Sequence, residues 1–458
     1  MAVKRRVVVT GVGVVSPIGT SAEEFWINCL EGKSPVSPIP EHWHRYADYH
    51  SSIWAKLEPL DPDALGATRV EAAQNDPVTL IAGHAARQAL AGAGLEPELV
   101  NRRANAYRIA GVDAHRVGVF MGTGIGGANS FLDNHSFQML ANLKAQLADL
   151  MAQIPQDDQR RDAFDSILGS MHHGRRFNPF VVSMLMPNAV AAHIGMKFSL
   201  KGPNLSYCVA CASGTVAIGH AFHAVRSGSV DFAISGGSEY LDDYYGGIFH
   251  GFDVARALVR NCEDPERANR PFDMNRSGFL FAQGGAAVLL LEELDSALAR
   301  GAPILAEIVG YGETFDAYSV MSIAPDGEQI ERMMQLALAD AGLSHADIHY
   351  VNAHGTGTQA NDSVETEVIE RVFGRDVLVN STKSLIGHTI GASGAIEALV
   401  TVMSLKDQKT HVCKNLEEPL ADLNFTRDVT SASMQAALSQ SFAFGGHNAG
   451  VIFKQFAG

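Results

Sequence analysis

Three reactive side chains stand where apolar stretches give way to glycine-rich turns: Cys211, His354 and His388. Cys211 follows Leu205–Ala210, read as a strand, and precedes Ala212-Ser-Gly-Thr-Val-Ala-Ile, read as a helix. The thiol therefore sits at a strand-to-helix turn. Unpaired N–H groups and the positive end of the helix dipole favour a thiolate there. The same N–H groups can hold the oxyanion of an attacked thioester. The local sequence also admits a small buried hydrophobe, and does not choose between the two. Cys208, three residues earlier, is assigned to the interior of the strand.

His354 lies in Val351-Asn-Ala-His-Gly-Thr-Gly-Thr358 and His388 in Ser381-Thr-Lys-Ser-Leu-Ile-Gly-His388. Each follows a strand, at the end where ligands bind in open α/β sheets. The chain has 18 histidines, so either one alone carries little. A thiolate with one histidine fits acyl transfer or peptide hydrolysis. A thiolate with two histidines also fits decarboxylation of a malonyl thioester, whose enolate oxygen two Nε2–H donors can stabilise. Lys383, five residues before His388, can tune such a pocket; as a surface residue it would sit oddly among Val377–Asn380 and Leu385-Ile386.

The elements that carry these groups alternate. Strands are predicted at Val7–Val15, Arg116–Met121, Val230–Ser235, Ala287–Leu291, Ile304–Val309, His349–Asn352 and Val377–Asn380. Helices are predicted at Asp76–Ala93, Ser213–Arg226, Gln329–Ala341 and Gly394–Leu405. Continuous apolar strands between helices imply an α/β fold with mainly parallel sheets. Cys211-Ala-Ser-Gly and Gly391-Ala-Ser-Gly open two of the helices, a sign of two pseudo-symmetric βα halves meeting at one site. Residues 131–176 interrupt the alternation with a helical insertion. Its apolar stripe comprises Phe137, Leu140, Leu143, Leu147, Leu150 and Ile154.

Composition excludes several classes. A formal net charge of -15 argues against nucleic acid. No apolar run is long enough to span a membrane. Five cysteines without framework spacing suit a reducing cytoplasm, and no cluster has metal-ligand spacing.

The ordered motifs resemble the β-ketoacyl-acyl-carrier-protein synthases of the KAS I/KAS II type, in the thiolase-like fold. They are Val9-Thr-Gly-Val-Gly-Val-Val-Ser-Pro-Ile-Gly19, Ala210-Cys-Ala-Ser-Gly214, Gly236-Gly-Ser-Glu239, Arg270-Pro-Phe-Asp273, Asn352-Ala-His-Gly-Thr-Gly-Thr358, Asn361-Asp-Ser-Val-Glu365, Ser381-Thr-Lys-Ser384, Gly387-His388 and Ser441-Phe-Ala-Phe-Gly-Gly446. The resemblance runs from Val7 to Lys454. It implies an α-β-α-β-α layered arrangement, here divided into an N-terminal half, 1–295, and a C-terminal half, 296–458.

The resemblance also implies decarboxylative Claisen condensation of a Cys-bound acyl group with malonyl-acyl-carrier protein, in fatty acid or specialised polyketide or polyene biosynthesis. Cys211 would carry the acyl chain, and His354 and His388 would bind the malonyl carbonyl. Lys383 would order the site, with Glu365 as its charge partner. Thr356 and Thr358 would contact the pantetheine arm. The amides of Cys211 and Phe444 would form the oxyanion hole, with Phe444 gating the site and Ile125 lining the acyl pocket. Arg175, Arg176 and Arg256 would dock the acyl-carrier protein. No cofactor of its own is implied, since 4'-phosphopantetheine arrives on the carrier. A homodimer is implied; a heterodimer with a non-catalytic chain-length-factor partner is the alternative.

The chain departs from the family pattern at four places. Ala443 and His447 stand in Ala443-Phe-Gly-Gly-His-Asn448, where the family has glycine and threonine. Phe279-Leu-Phe-Ala-Gln-Gly284 lacks an acidic residue, and Asp316-Ala-Tyr-Ser319 ends in serine rather than histidine. The insertion at 131–176 is longer. These changes bear on substrate more than on reaction, and point toward a specialised pathway. A thiolase would need a second cysteine near the C-terminus, and a synthase of the Cys-His-Asn type conflicts with Gly387-His388. A cysteine peptidase leaves Lys383 and one histidine unexplained.

Overall fold

Val7–Val15, the run VVVTGVGVV, forms strand β1 with every residue buried. Helix α1 (Pro77–Gly92), capped by Asp76 with proline at its start, lies directly on it. A Cβ on Gly11 or Gly13 would strike the Ala89 or Ala85 carbonyl of that helix, so glycine sets the depth of the contact. The chain is represented by a computed structural model that describes residues 5–155, 158–170, 177–261 and 263–457.

The remaining strands of the main sheet are β2 (Val117–Gly122), β3 (Asn204–Tyr207), β4 (Phe232–Tyr240), β5 (Gly284–Glu293) and β6 (Ala306–Phe315). They continue with β7 (Ile348–Asn352), β8 (Leu378–Asn380), β9 (Asn424–Phe425), β10 (Ala436–Ala443) and β11 (His447–Lys454). Eleven strands join in the order β9-β8-β7-β10-β11-β6-β1-β5-β4-β2-β3. The junction is β1 against β6, antiparallel, with Val8 opposite Glu307. Outward from it, β1-β5-β4-β2-β3 mirrors β6-β11-β10-β7-β8. The pairings run antiparallel, antiparallel, parallel, parallel on both sides.

The sheet is therefore mixed, not mainly parallel as the sequence predicts. The apolar runs come from burial on both faces, which helix layers produce whatever the strand direction. Helix α1 covers β1, β5 and β4, and α5 (Glu328–Ala341), with α6 (Gln359–Phe373) packed on it, covers β6 and β11. Between the two half-sheets run α4 (Ser213–Arg226) and α7 (Ser393–Asp407), whose residues Ser393–Leu405 are all buried. The result is the five-layer α-β-α-β-α arrangement. The central helices cross at their first turns, where a Cβ on Gly214 would meet Ala395 and one on Gly394 would meet Thr215.

Two further expectations change. The predicted strand Val230–Ser235 runs on through Gly236 and Gly237 to Tyr240. Those glycines make no turn; Gly237 lets the sheet approach Gly214 and Gly391 of the central helix starts, and Gly236 lies against the Ala287 carbonyl of β5. The predicted strand Leu205–Ala210 ends at Tyr207, so Cys208 lies beyond it, exposed, with its sulfur toward the Gly124 carbonyl at 3.2 Å. The insertion is helical: α2 (Ala128–Ala152) packs on α3 (Arg160–Ser170) and on the short helix Val181–Leu185. Of its apolar stripe, Phe137 meets Tyr244 and Tyr245, while Leu143 and Leu150 face solvent in the single chain.

Candidate active site

The two halves bring equivalent turns together at the heart of the molecule. Ala210–Ala212 and Ile390–Ala392 are both 3-10 turns leading into α4 and α7. Ala210 at φ 47 and Ile390 at φ 48 share a left-handed conformation that L-residues rarely adopt. Each costs about 1–3 kcal/mol and must be held by its surroundings. The Ser213 hydroxyl accepts the Val209 amide, and the Ser393 hydroxyl accepts the Thr389 amide. Cys211 thus matches Gly391, and Cys208 matches His388. The repeat visible in the sequence is a repeat of geometry, with the nucleophile on one copy and the histidine on the other.

His388 Nε2 lies 3.1 Å from Cys211 Sγ. The Ile390 amide donates to His388 Nδ1 at 3.3 Å, so Nδ1 is the acceptor and Nε2 carries the proton. The Ser393 hydroxyl, 2.9 Å from the same Nδ1, supports that tautomer. His354 sits edge-on to His388, with ring centres 5.5 Å apart. Lys383 Nζ donates to the His354 carbonyl at 2.7 Å and faces His354 Nδ1 at 3.2 Å. A lysine ammonium only donates, so His354 Nδ1 accepts and its Nε2 also carries the proton. Burial first, and the Lys383 charge second, hold both imidazoles well below the usual histidine range and keep them neutral. Lys383 thus fixes tautomer and charge together.

The partner of Lys383 is Glu397, not Glu365. Lys383 Nζ bonds the Glu397 carboxylate, and both side chains are fully buried. Glu365 instead accepts the amides of His354 and Gly355 at 2.7 Å each, and the Gln440 side-chain amide at 2.7 Å. It holds the backbone of the His354 turn, while Asp362 accepts the amides of Thr356 and Gly357. Sequence reading missed Glu397. Its signal was a lone acid within the apolar helix Gly394–Leu405. Removing one member of a buried ion pair strands the other. Glu397→Ala should therefore lower stability by about 3–5 kcal/mol in denaturant unfolding. Replacing an exposed acid such as Glu96 should change it by less than about 0.5 kcal/mol. A small loss at Glu397 would contradict the pairing.

Cys211 is 3% exposed, and burial pushes its thiol up to about 12, against the pull of Lys383 and of the Phe444 amide that bonds it. Burial thus opposes the thiolate that the helix start and Lys383 favour. The Phe444 amide bonds the Cys211 sulfur, so one of the two expected oxyanion donors stands at the nucleophile. Cys211 belongs to one buried apolar cluster with Trp43, Trp54, Phe249, Phe279, Phe281 and Ile390. The aromatic residues of this cluster gave no periodic signal in the sequence.

A cavity of about 330 Å³ connects this centre to the surface. Cys211, His354, His388, Thr356, Thr358 and Phe444 line it, with exposed Arg256 at its margin. The Thr356 and Thr358 hydroxyls are 2.9 Å apart. Phe444 stacks on Phe252 with ring centres 6.4 Å apart. Ile125 is not part of this lining; it sits in the loop after β2, 37% exposed. Arg175 and Arg176 lie outside the described residues. No group of three or more metal-ligating side chains forms among the described residues, and no helix there is long and apolar enough to cross a membrane.

The departures fit locally. The positive φ values of the Phe444 loop fall on Gly445 and Gly446, so Ala443 closes β10 without needing glycine's freedom. His447 packs its ring against Phe315. Gln283 replaces an acid by bonding the Leu57 amide and Asp242. The Ser319 hydroxyl accepts the amides of Met321 and Ser322.

Comparison with known proteins agrees with this arrangement. The family Beta-ketoacyl synthase, N-terminal domain, matches residues 4–297, and Beta-ketoacyl synthase, C-terminal domain, matches residues 305–417. A 3-oxoacyl-[acyl-carrier-protein] synthase 2 from Synechocystis is 36% identical, with 99% of each chain covered. A beta-ketoacyl synthase from Burkholderia phymatum superposes with TM-score 0.80 at 30% identity, over 99% of this chain and 100% of that one. A type II polyketide ketosynthase, solved bound to its acyl-carrier protein and a hexaketide, superposes with TM-score 0.77 at 26% identity and the same coverage. The buried Cys-His-His-Lys centre and these matches over both halves make the chain a member of the beta-ketoacyl synthase family.

Proposed function

We propose that the protein condenses an acyl group held on Cys211 with malonyl-acyl-carrier protein, releasing CO2 and a β-ketoacyl-carrier thioester. The observation that carries this reading is the pair of neutral imidazoles, both with protonated Nε2, gathered at one buried thiol. First, Cys211 sulfur attacks the acyl thioester carbonyl. The carbonyl oxygen is held by the amides of Cys211 and Phe444, and the pantetheine thiol leaves with the proton. Then malonyl thioester enters along Thr356 and Thr358. Its C–C bond to the carboxylate breaks, CO2 departs, and the electron pair forms an enolate. His354 and His388 stabilise that oxygen. The enolate carbon attacks the acyl carbonyl, and Cys211 leaves as thiolate and regains a proton. A peptidase would have no use for the second imidazole or for Lys383.

The carrier protein supplies the pantetheine arm, and Arg256 at the cavity margin is its docking cation, with Arg175 and Arg176 as further candidates. We read the active form as a homodimer; a chain-length-factor partner is not required, since this chain holds the full catalytic set. Arg256→Glu should lower kcat/KM for carrier-bound substrate by about tenfold or more at low salt. Turnover of a small N-acetylcysteamine thioester should change little, because surface charge steers association rather than chemistry. Equal losses with both donors would remove Arg256 from docking.

A further inference from the structure

The loop after β2 and the His388 turn are joined by one carboxylate. Glu239 closes the Gly236-Gly-Ser-Glu239 motif near the end of β4 and is completely buried. Its oxygens accept the Gly124 amide at 2.5 Å, the Ile125 amide at 3.2 Å, the Thr123 hydroxyl at 3.2 Å and the Gly391 amide at 3.0 Å. No cation bonds it. Three of the four donors are backbone N–H groups, an arrangement that cradles an anion.

Gly391 is the structural twin of Cys211, so its amide is the twin of an oxyanion-hole donor. Glu239 fills on the second copy a place comparable to that of substrate oxygen on the first. A Cβ at Gly391 would collide with the Gly124 amide and with Glu239 itself, so no side chain can stand there. The next amide back, from Ile390, sets the His388 tautomer. The Ile390 side chain belongs to the same apolar cluster as Cys211. On its other side the carboxylate fixes Ile125 and Gly124, and a Cβ on Gly124 would press on Ile390.

We propose that Glu239 is a positioning residue that couples the 123–125 loop to the His388 turn, and so sets both enolate stabilisation and acyl-chain preference. It touches no substrate. Its carboxylate occupies the unused twin of the oxyanion hole and locks the 123–125 loop in register with the strained Ile390 turn. This rests on the condensing reading above. Displacing a catalytic group by about 1 Å can cost on the order of 10² in rate.

The test uses the full-length protein with a series of short and long acyl-carrier donors, and with malonyl-carrier alone. Glu239→Ala should lose about 10²-fold in malonyl decarboxylation and shift its donor-length profile. Added formate, a carboxylate small enough for the vacated space, should restore both. Glu239→Gln keeps the volume but points an NH2 at backbone donors. It should show the same profile shift without formate rescue, and it stands in if the alanine variant fails to fold. A folded variant that keeps the wild-type profile and decarboxylation rate overturns the proposal. So does a uniform loss with every donor that formate does not relieve, since that is what general loosening gives. Wild-type protein run alongside separates the two levels: if it fails to condense any donor, the condensing reading fails; if it condenses and only the Glu239 results disagree, the coupling alone fails.

Discussion

A Cys211→Ala variant is expected to form no acyl adduct and no β-ketoacyl product, yet still to release CO2 from malonyl-carrier protein. Among the described residues, the covalent half of the reaction has one sulfur to use. Cys208 is exposed beyond β3, Cys29 and Cys413 are buried, and none of the three lines the catalytic cavity. Loss of a covalent nucleophile costs on the order of 10⁶ in kcat in a well-studied hydrolase. The decarboxylating half depends on His354, His388 and Lys383, which the substitution leaves in place. A small methyl in place of sulfur also removes the 3.1 Å contact with His388 Nε2, freeing that donor for the malonyl oxygen. Mass spectrometry of the protein checks the first half of the statement. Release of CO2, followed by coupled assay or by loss of malonyl mass, checks the second. Substantial condensation by this variant would contradict the role of Cys211.

The second large effect is expected at the histidines. His354→Ala and His388→Ala should each lower malonyl decarboxylation by about 10²–10³, the usual cost of one oxyanion donor. Acyl loading of Cys211 should fall far less, because its oxyanion donors are backbone amides. Both imidazoles are held neutral by burial and by Lys383, well below the usual histidine range. As pH falls from 8 toward 6, where an ordinary histidine would become charged, neither imidazole should add a titration of its own to decarboxylation. Comparable loss of loading and decarboxylation in either variant would place that histidine in a general structural role.

Much of the fold was legible because helix layers bury both faces of the half-sheets. Continuous apolar runs such as Ala287–Leu291 announce that burial directly. Strand direction was not legible, since pairing sense leaves no period in the sequence, and the sheet proved mixed. The strand read as ending at Ser235 continues through Gly236 and Gly237, because close backbone approach and a turn call for the same residue. At the site, Cys211, His354, Lys383 and His388 stood out by motif and converge in space. The Lys383–Glu397 pair did not, because it joins two elements whose mutual packing sets which acid faces the lysine. Glu365 seemed the partner by motif, yet it binds the backbone of the His354 turn. Glu239 was visible in its motif, but its role needs the approach of two loops that are distant in sequence.

Intact-mass spectrometry of the wild-type protein, incubated with an acyl-carrier donor and then with malonyl-carrier protein, tests the central claim most directly. The account predicts an acyl mass added at Cys211 alone. That mass should disappear on malonyl addition, with β-ketoacyl-carrier product and CO2 formed in equal amounts. An adduct on another residue, or a Cys211 adduct that water releases but malonyl-carrier protein does not, would contradict it.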